Sequence, residues 1–204
     1  KEEKVNTLLT HLQAYLYQKK EWNPYQEAHF SPALCNRIDR NTGGIVIAAK
    51  NAEALRIMNQ KIKDRELSKY YLAIVHGAMR PRVGELSGYL SKDEQKNQVT
   101  ISSRPSETSK FAVTRYRTLD FRNGLSLVEC DLVTGRTHQI RALFAAAGHP
   151  LLGDRKYGTP SDRAHYHRDF QALYSYRIAF HFTTDAGILA PLNGQSFTVN
   201  TVDF

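Results

Sequence analysis

Two long runs of strand-forming residues meet at Asn123-Gly124, and this feature constrains the fold more than any other in the sequence. The runs extend from Phe111 to Leu119 and from Leu125 to Val133. Asn-Gly is typical of the two-residue turn that joins antiparallel strands, because both residues tolerate the positive φ of such a turn. The sequence therefore predicts a β-hairpin within a sheet that is at least partly antiparallel.

Helical patterns flank this hairpin on both sides. Apolar residues at helical spacing predict one helix within the first twenty residues and a second that begins after Asn51, a typical N-cap residue. A third helix is predicted from about His138, with Gly148 ending it. The patterns also predict a short buried strand at Gly44 to Ala49 and a strand at Lys69 to His76. The polar segment 91–110 is predicted as a loop or an irregular hairpin, and 154–170 is polar, basic and aromatic.

Length and charge limit the architecture and the partners. A chain of 204 residues without internal repeats or linkers predicts a single mixed α+β domain, 1–204. The formal charge of +8, from 28 Lys and Arg against 20 Asp and Glu, favours a polyanionic partner such as nucleic acid or an anionic membrane surface. Because the chain opens at Lys1 without an initiator Met, we expect an N-terminal segment to be missing from it.

Cysteine content and hydropathy indicate the compartment. The only cysteines, Cys35 and Cys130, are far apart and lack metal-ligand spacing, which favours a reducing cytoplasm. No apolar stretch approaches the ~18 residues that a membrane span requires. The sequence therefore predicts a cytoplasmic protein without membrane association, and a monomer is the default expectation.

The segment with the clearest chemical meaning is Asn36-Arg37-Ile38-Asp39-Arg40-Asn41-Thr42-Gly43-Gly44. Its carboxylate lies between two arginines, and nearby positive charge favours the ionised form of an aspartate. An anionic carboxylate beside a glycine-permitted turn is suited to act as a nucleophile. The alternative is a surface Arg-Asp-Arg ion pair without catalytic function.

Two later segments make the catalytic interpretation more specific. The first runs from Lys69 to Gly77 and contains Lys69-Tyr70-Tyr71; the second is Thr134-Gly135-Arg136-Thr137-His138-Gln139-Ile140-Arg141, continued by Gly153-Asp154. With the Asp39 motif before them, they resemble the large-ribosomal-subunit type of RNA pseudouridine synthases. The resemblance covers nearly the whole chain, although Asn36 stands where the family's usual His is expected.

The resemblance implies a fold and an active site. The expected fold is a central, mostly antiparallel mixed sheet flanked by helices, with RNA in a basic cleft. Asp39 matches the catalytic nucleophile, Tyr71 the tyrosine that packs on the target base, and Arg141 the counter-ion of the aspartate. Ile140 matches an apolar wall of the pocket. The candidate substrate-binding residues are Arg37, Arg40, Thr42, Arg136, His138 and Ile140.

The expected chemistry requires no cofactor. Conversion of uridine to pseudouridine breaks a C–N bond and forms a C–C bond to the same base, without exchange of electrons. The sequence contains no Gly-rich phosphate loop and no zinc-ligand spacing, so neither a cofactor nor a metal is predicted. Attack at C1′, attack at C6 and elimination to a glycal all remain open.

Alternative roles follow from the same residues. Ribosomal RNA is the expected substrate and transfer RNA a possible one. A non-catalytic RNA-binding or assembly module could have the same fold, and a nucleoside or glycoside hydrolase would be expected to have a second carboxylate, which does not accompany Asp39 in the motifs. Basic and aromatic residues in 154–170 suit RNA contact or an ordinary polar loop equally. Lys61, near the end of the second helix, is expected to favour the helix dipole.

Overall fold

The structure, a computed structural model, describes residues 6–26, 30–93, 95 and 98–204, except for the side chain of Arg163. The helices are α1 Leu8–Gln18, α2 Ala52–Lys63, α3 Gln139–Ala146, α4 Asp162–Tyr166 and a 3-10 helix, Gly187–Leu192. The strands are β1 Ala33–Leu34, β2 Gly43–Gly44, β3 Ala48–Ala49, β4 Leu67–His76, β5 Val83–Asp93, β6 Gln98–Ser102, β7 Lys110–Arg122, β8 Leu125–Asp131, β9 Leu173–Phe180 and β10 Ser196–Thr198.

The predicted hairpin lies near the middle of the main sheet. β7 and β8 pair in antiparallel register across Asn123 and Gly124, whose φ angles of 50° and 78° are both positive, as a two-residue turn requires. Among the described residues the sheet has eight strands, in the order β10-β9-β4-β8-β7-β5-β6, with β2 parallel to β9. The predicted α+β class with a mostly antiparallel, mixed sheet is confirmed.

The contacts divide the chain into two compact units. The larger comprises Ile38–Ile45, Ser68–Ala179 and Ser196–Phe204, and the smaller takes its described residues from Lys1–Arg37, Val46–Leu67 and Phe180–Gln195. The prediction of one domain over 1–204 is not tested by this division and stays a prediction. No helix in the described part of the chain is both long and apolar enough to cross a bilayer.

One face of β4 forms the core of the larger unit. Tyr71, Ala73 and Val75 alternate along that face and are almost fully buried. They share an apolar cluster with Ile140 and Phe144 of α3. The strand that carries Tyr71 and the helix that carries Arg141 are therefore joined by a close-packed interior, which limits their relative movement.

Two local predictions require correction. The apolar run Gly44 to Ala49 is not one strand: Gly43–Gly44 pairs with β9, whereas Ala48–Ala49 pairs with β1. Gly44 has a φ of 115°, and a Cβ there would lie 2.2 Å from the carbonyl oxygen of Ser175. The backbone of β2 therefore approaches β9 too closely for any side chain at this position.

The second correction concerns the region after Gly77. The segment 91–110 contains β6 and the end of β5, which form a hairpin and so agree with the second of the two predicted alternatives; the strand that precedes it was not predicted. β5 begins as early as Val83 and had no clear signal in the sequence, because its exposed face carries polar residues and its inner face includes Gly84 and Gly88. Periodicity weakens where glycines replace apolar side chains.

Lys61 lies in the last turn of α2, as the helix-dipole prediction requires, but it also has a structural role that the sequence did not predict. It is only 2% exposed, and its Nζ donates to Glu66 Oε2 at 2.6 Å and to both the carbonyl oxygen and Oγ1 of Thr184 at 2.7 Å. The second carboxylate oxygen of Glu66 accepts from Oγ1 of Thr183 and of Thr184. This network makes Lys61 a buried cross-link of the smaller unit, because a buried charge is tolerated only with such partners.

We expect Glu66 to make the smaller unit less stable in acid. The hydrogen bond from Lys61, followed by that from Thr183, lowers the pKa of Glu66 to about 2, below the ~4.3 of an unfolded chain. The stabilisation is therefore fully present above about pH 4.3 and is lost as the pH falls toward 2. Urea unfolding at pH 7, 4 and 3, followed by fluorescence of Trp22 in the same unit, measures this dependence.

Glu66→Gln provides the comparison. Because glutamine cannot ionise, the unfolding free energy of the variant should change less than that of the wild type between pH 4.3 and 2. The difference in unfolding free energy between the two proteins should therefore decrease as the pH falls. Parallel pH curves for the two proteins would contradict the assignment.

Candidate active site

The loop that carries Asp39 is held by backbone and side-chain hydrogen bonds. The N–H of Thr42 donates to the carbonyl oxygen of Asp39 at 3.0 Å, and Asn41 takes a positive φ of 65°. From outside the loop, buried Gln171 donates to the carbonyl oxygen of Arg40 at 2.7 Å and to Thr42 Oγ1 at 3.1 Å. These hydrogen bonds fix the backbone of the loop and thereby the position of Asp39.

Arg141 connects two carboxylates. Its Nε and Nη2 donate to the two oxygens of Asp154 at 2.6 and 2.9 Å, and its Nη1 donates to Asp39 Oδ2 at 3.3 Å. The side chain of Asp154 is fully buried, that of Arg141 is 6% exposed, and that of Asp39 is 18% exposed. Asp154 thus orients the guanidinium from the interior, and Asp39 is the carboxylate that solvent or a substrate reaches.

The charges of this trio stabilise one another. Burial tends to lower the pKa of Arg141, but its hydrogen bond and ion pair with Asp154, and then Asp39, raise the pKa overall. Burial tends to raise the pKa of Asp154, yet Arg141 and the backbone N–H groups of Lys156 and Tyr157 lower it overall. Arg141 remains a cation and Asp154 an anion at neutral pH.

Tyr71 lies within the electrostatic reach of Asp39. Burial raises the pKa of the Tyr71 phenol, the hydrogen bond with Ser175 opposes this shift, and the charge of Asp39 adds to it. The phenol is therefore neutral at physiological pH. Tyr71 and Ile140 belong to the same apolar cluster, against which Ile38, the residue before Asp39, also packs. The structure thus brings the predicted nucleophile, base platform, counter-ion and apolar wall together.

Tyr157 contacts both Arg141 and His138. The guanidinium carbon of Arg141 lies 5.3 Å from the centroid of its ring, a distance typical of a cation–π contact. The Tyr157 oxygen accepts the N–H of Val99 at 2.7 Å and lies 3.0 Å from His138 Nδ1. Burial lowers the pKa of His138, against the opposing effect of Asp39, so the imidazole is largely neutral at pH 7.

The candidate substrate-binding residues occupy different environments. Arg40 is exposed on the Asp39 loop, and exposed Arg136 donates from Nε to the carbonyl oxygen of Phe111 at 3.4 Å. Thr42 is buried and bonded to Gln171, so it holds the loop rather than facing solvent. Arg37 is exposed in the smaller unit, outside the unit that holds the trio.

Sequence reasoning missed three parts of this site. Asp154, Tyr157 and Gln171 have no assigned role in the motifs, although Gly153-Asp154 belongs to the third segment. The expectation that no second carboxylate accompanies Asp39 is wrong in three dimensions, because Asp154 shares Arg141 with it. A Gly-Asp pair thirteen residues after an arginine is too common a pattern to identify such a contact.

Residues 1–146 match the family described as RNA pseudouridylate synthase. The chain belongs to this family. The resemblance inferred from the Asp39, Lys69 and Thr134 segments is therefore confirmed. Within the family, the matched range includes Asp39, Tyr71 and Arg141, whereas Asp154 lies beyond it.

Relatives of the chain support the same assignment. An uncharacterized RNA pseudouridine synthase of Mycoplasma genitalium is 34% identical over 155 residues, which cover 74% of this chain and 48% of the relative. Ribosomal large subunit pseudouridine synthase D of Zymomonas mobilis is 35% identical over 166 residues, which cover 80% of this chain and 50% of that protein. This family member therefore spans about half the length of the curated relatives it matches.

Solved structures of the family have the same fold. Human RNA pseudouridylate synthase domain containing 1 has a TM-score of 0.68 at 24% identity, covering 93% of this chain and 75% of that one. Human RNA pseudouridylate synthase domain containing 4 has a TM-score of 0.67 at 19% identity. The match covers 86% of this chain and 76% of that one. At these identities the likeness establishes the fold of the pseudouridylate synthase domain alone.

Proposed function

We propose that this protein isomerises uridine to pseudouridine in RNA, with Asp39 as the nucleophile. The observation that carries the proposal is the arrangement of Arg141 between a fully buried carboxylate and a partly exposed one. Because Asp154 already holds the guanidinium, Arg141 orients Asp39 while leaving that carboxylate accessible. Family membership makes uridine in RNA the substrate that this arrangement is expected to serve.

The reaction balances without an external partner. The C1′–N1 bond breaks, the uracil turns, a C1′–C5 bond forms, C5 loses its proton and N1 gains one, so that substrate and product are isomers. Asp39 can add to the sugar at C1′ or to the base at C6, or it can assist elimination to a glycal. Each route begins from the Asp39 carboxylate, whose Oδ2 lies 3.3 Å from Nη1 of Arg141.

Tyr71 is better suited to binding the base than to removing its proton. A buried phenol whose pKa is raised holds its own proton at pH 7 and is a weak base. Its ring and Ile140 offer apolar surface on which a uracil extracted from its stack could pack and rotate. We therefore assign Tyr71 to the base platform, with Ile140 as the neighbouring wall.

A hydrolytic role fits the site less well. Glycosidases require a second carboxyl group that donates or accepts a proton. Asp154 is near enough to share Arg141, but it is fully buried, bound through both oxygens and held as an anion by its lowered pKa. It cannot serve as the general acid that hydrolysis of a glycosidic bond needs.

Ribosomal RNA is the substrate we propose, with transfer RNA as the alternative. The charge of +8 suits either polyanion. The Zymomonas relative is named as a ribosomal large subunit pseudouridine synthase. We propose, as a hypothesis, that this chain also acts on ribosomal RNA.

The test uses transcripts that contain uridine tritiated at C5. We expect release of tritium together with a C-linked nucleoside after digestion of the RNA. Release of free uracil would instead support hydrolysis. Tight RNA binding without either product, across ribosomal and transfer RNA transcripts, would favour the non-catalytic binding module.

A further inference from the structure

A cavity of about 360 Å³ lies in the larger unit, behind the carboxylate that holds Arg141. Its walls are backbone and side chains from Gly153 to Arg155 and from Gly158 to Pro160, together with Asp162, Arg168 and Asp169. Asp154 therefore contributes both to this cavity and to the Asp39 site. The volume is within the range of pockets that bind a nucleotide-sized ligand.

The acidic groups of the cavity already have partners. Asp154 is bound to Arg141, and Asp169 accepts from Arg155 Nη2 at 2.7 Å. Asp162 Oδ2 accepts the N–H of Gly153 at 2.7 Å and lies 3.0 Å from His76 Nε2. Each of these aspartates therefore has a partner, although the buried Oδ1 of Asp162 accepts no hydrogen bond from the described residues and lies 2.9 Å from His76 Nε2.

Arg168 is the cation of the cavity wall to which the described residues offer no hydrogen-bond acceptor. Its Nε is shielded from solvent and has no hydrogen-bond partner within the described part of the chain. The side chain passes over Gly153, where an added Cβ would lie 3.2 Å from Arg168 Cγ, and its guanidinium carbon lies 6.0 Å from the centroid of the Phe204 ring. Burial lowers the pKa of Arg168, the direction expected for a cation without a counter-charge.

Arg168 is half-buried, and its shielded Nε–H group costs free energy as long as no acceptor reaches it. Arginine presents a planar set of donors that matches the oxygens of a phosphate. Asp154 lines this cavity and binds the guanidinium that contacts Asp39, so the cavity adjoins the Asp39 site through a single shared residue.

We infer that Arg168 binds a backbone phosphate of the RNA next to the target uridine, with the cavity holding the attached sugar. This inference rests on the proposed function for the identity of the polyanion. The contact would position the strand without reading its sequence, because phosphates carry no base identity.

The salt dependence of binding tests the inference directly. Loss of one phosphate contact lowers the slope of log K against log salt by about 0.7 for single-stranded RNA. With the full chain and a tritiated transcript, we expect Arg168→Gln to show this change and to bind several-fold more weakly at low salt. The KM for RNA should rise by a similar factor, because the lost contact acts on binding of the strand.

Two variants act as controls. Arg168→Lys retains the charge and should recover most of the lost slope, which a purely structural role would not predict. Arg122→Gln removes an exposed arginine that is paired with Asp120 at 2.7 Å next to the β7–β8 turn, and its slope should match the wild type. An unchanged slope in Arg168→Gln, with or without a lower melting temperature, would overturn the inference.

Neutral methylphosphonates at single positions around the target uridine identify the contact. One flanking substitution should weaken binding to the wild type and have little further effect in Arg168→Gln, or in the equally neutral Arg168→Met if the glutamine variant does not fold. Equal losses in wild type and variant would reject the site. If RNA binds with the expected slopes but no pseudouridine forms, the phosphate site stands and the proposed isomerisation fails.

Discussion

Asp39→Asn is expected to abolish isomerisation while the protein remains folded and bound to RNA. The substitution keeps the shape of the side chain but removes the charge and the nucleophilic oxygen, so turnover should fall by at least about 10³-fold. Arg141 retains its two hydrogen bonds to Asp154, which preserves its orientation in the variant. Tritium release under single-turnover conditions measures the loss, and filter binding measures RNA affinity.

The control for this prediction is Asp203→Asn, at an exposed aspartate near the end of the described chain. It should turn over at the wild-type rate. Because Asp39 is partly exposed and makes one ion pair at 3.3 Å, the melting temperature of Asp39→Asn should change little. Turnover within ten-fold of the wild type in purified Asp39→Asn would remove Asp39 from the mechanism.

Asp154→Asn is expected to damage both stability and turnover. The change removes one member of a buried, bidentate ion pair and leaves Arg141 without its main partner. Breaking such a pair costs about 3–5 kcal/mol of unfolding free energy. The freed guanidinium no longer has a fixed direction, so turnover by the folded fraction should fall by about 10²-fold or more.

Asp120→Asn provides the matched comparison. Asp120 also pairs with an arginine at 2.7 Å, but its side chain is 45% exposed. An exposed pair contributes about 1 kcal/mol or less, so this variant should resemble the wild type in denaturant and in turnover. If Asp154→Asn and Asp120→Asn have equal stability and equal turnover, Asp154 does not position the guanidinium of Arg141.

Local sequence was sufficient where a feature depends on neighbours in the chain. Asn123-Gly124 determined a hairpin because positive φ at two successive residues permits few other turns. The Asn51 cap determined the start of α2, with its side-chain oxygen accepting the N–H of Ala54 at 2.8 Å. The Asp39, Tyr71 and Arg141 segments were recognisable as motifs for the same reason, since each is a short, unbroken string.

Tertiary structure decided the features that depend on distant partners. Lys61 has the sequence context of an exposed helix end, and only the approach of Glu66 and Thr184 makes it a buried ion-pair residue. The run from Gly44 to Ala49 divides because β9 pairs with one end and β1 with the other. The sequence of one segment does not show where its strand pairing changes, because the stability of a strand pair depends on residues in both strands.

The active site combines both kinds of information. The sequence by itself determined which residue types are present: one aspartate between arginines, a tyrosine on a strand and an arginine on a helix. Only the folded chain decided that Asp154, 115 positions after Asp39 by residue number, supports the same guanidinium from the interior. The physical reason is that burial and charge pairing are set by the surroundings in three dimensions, which are assembled from segments far apart in the chain.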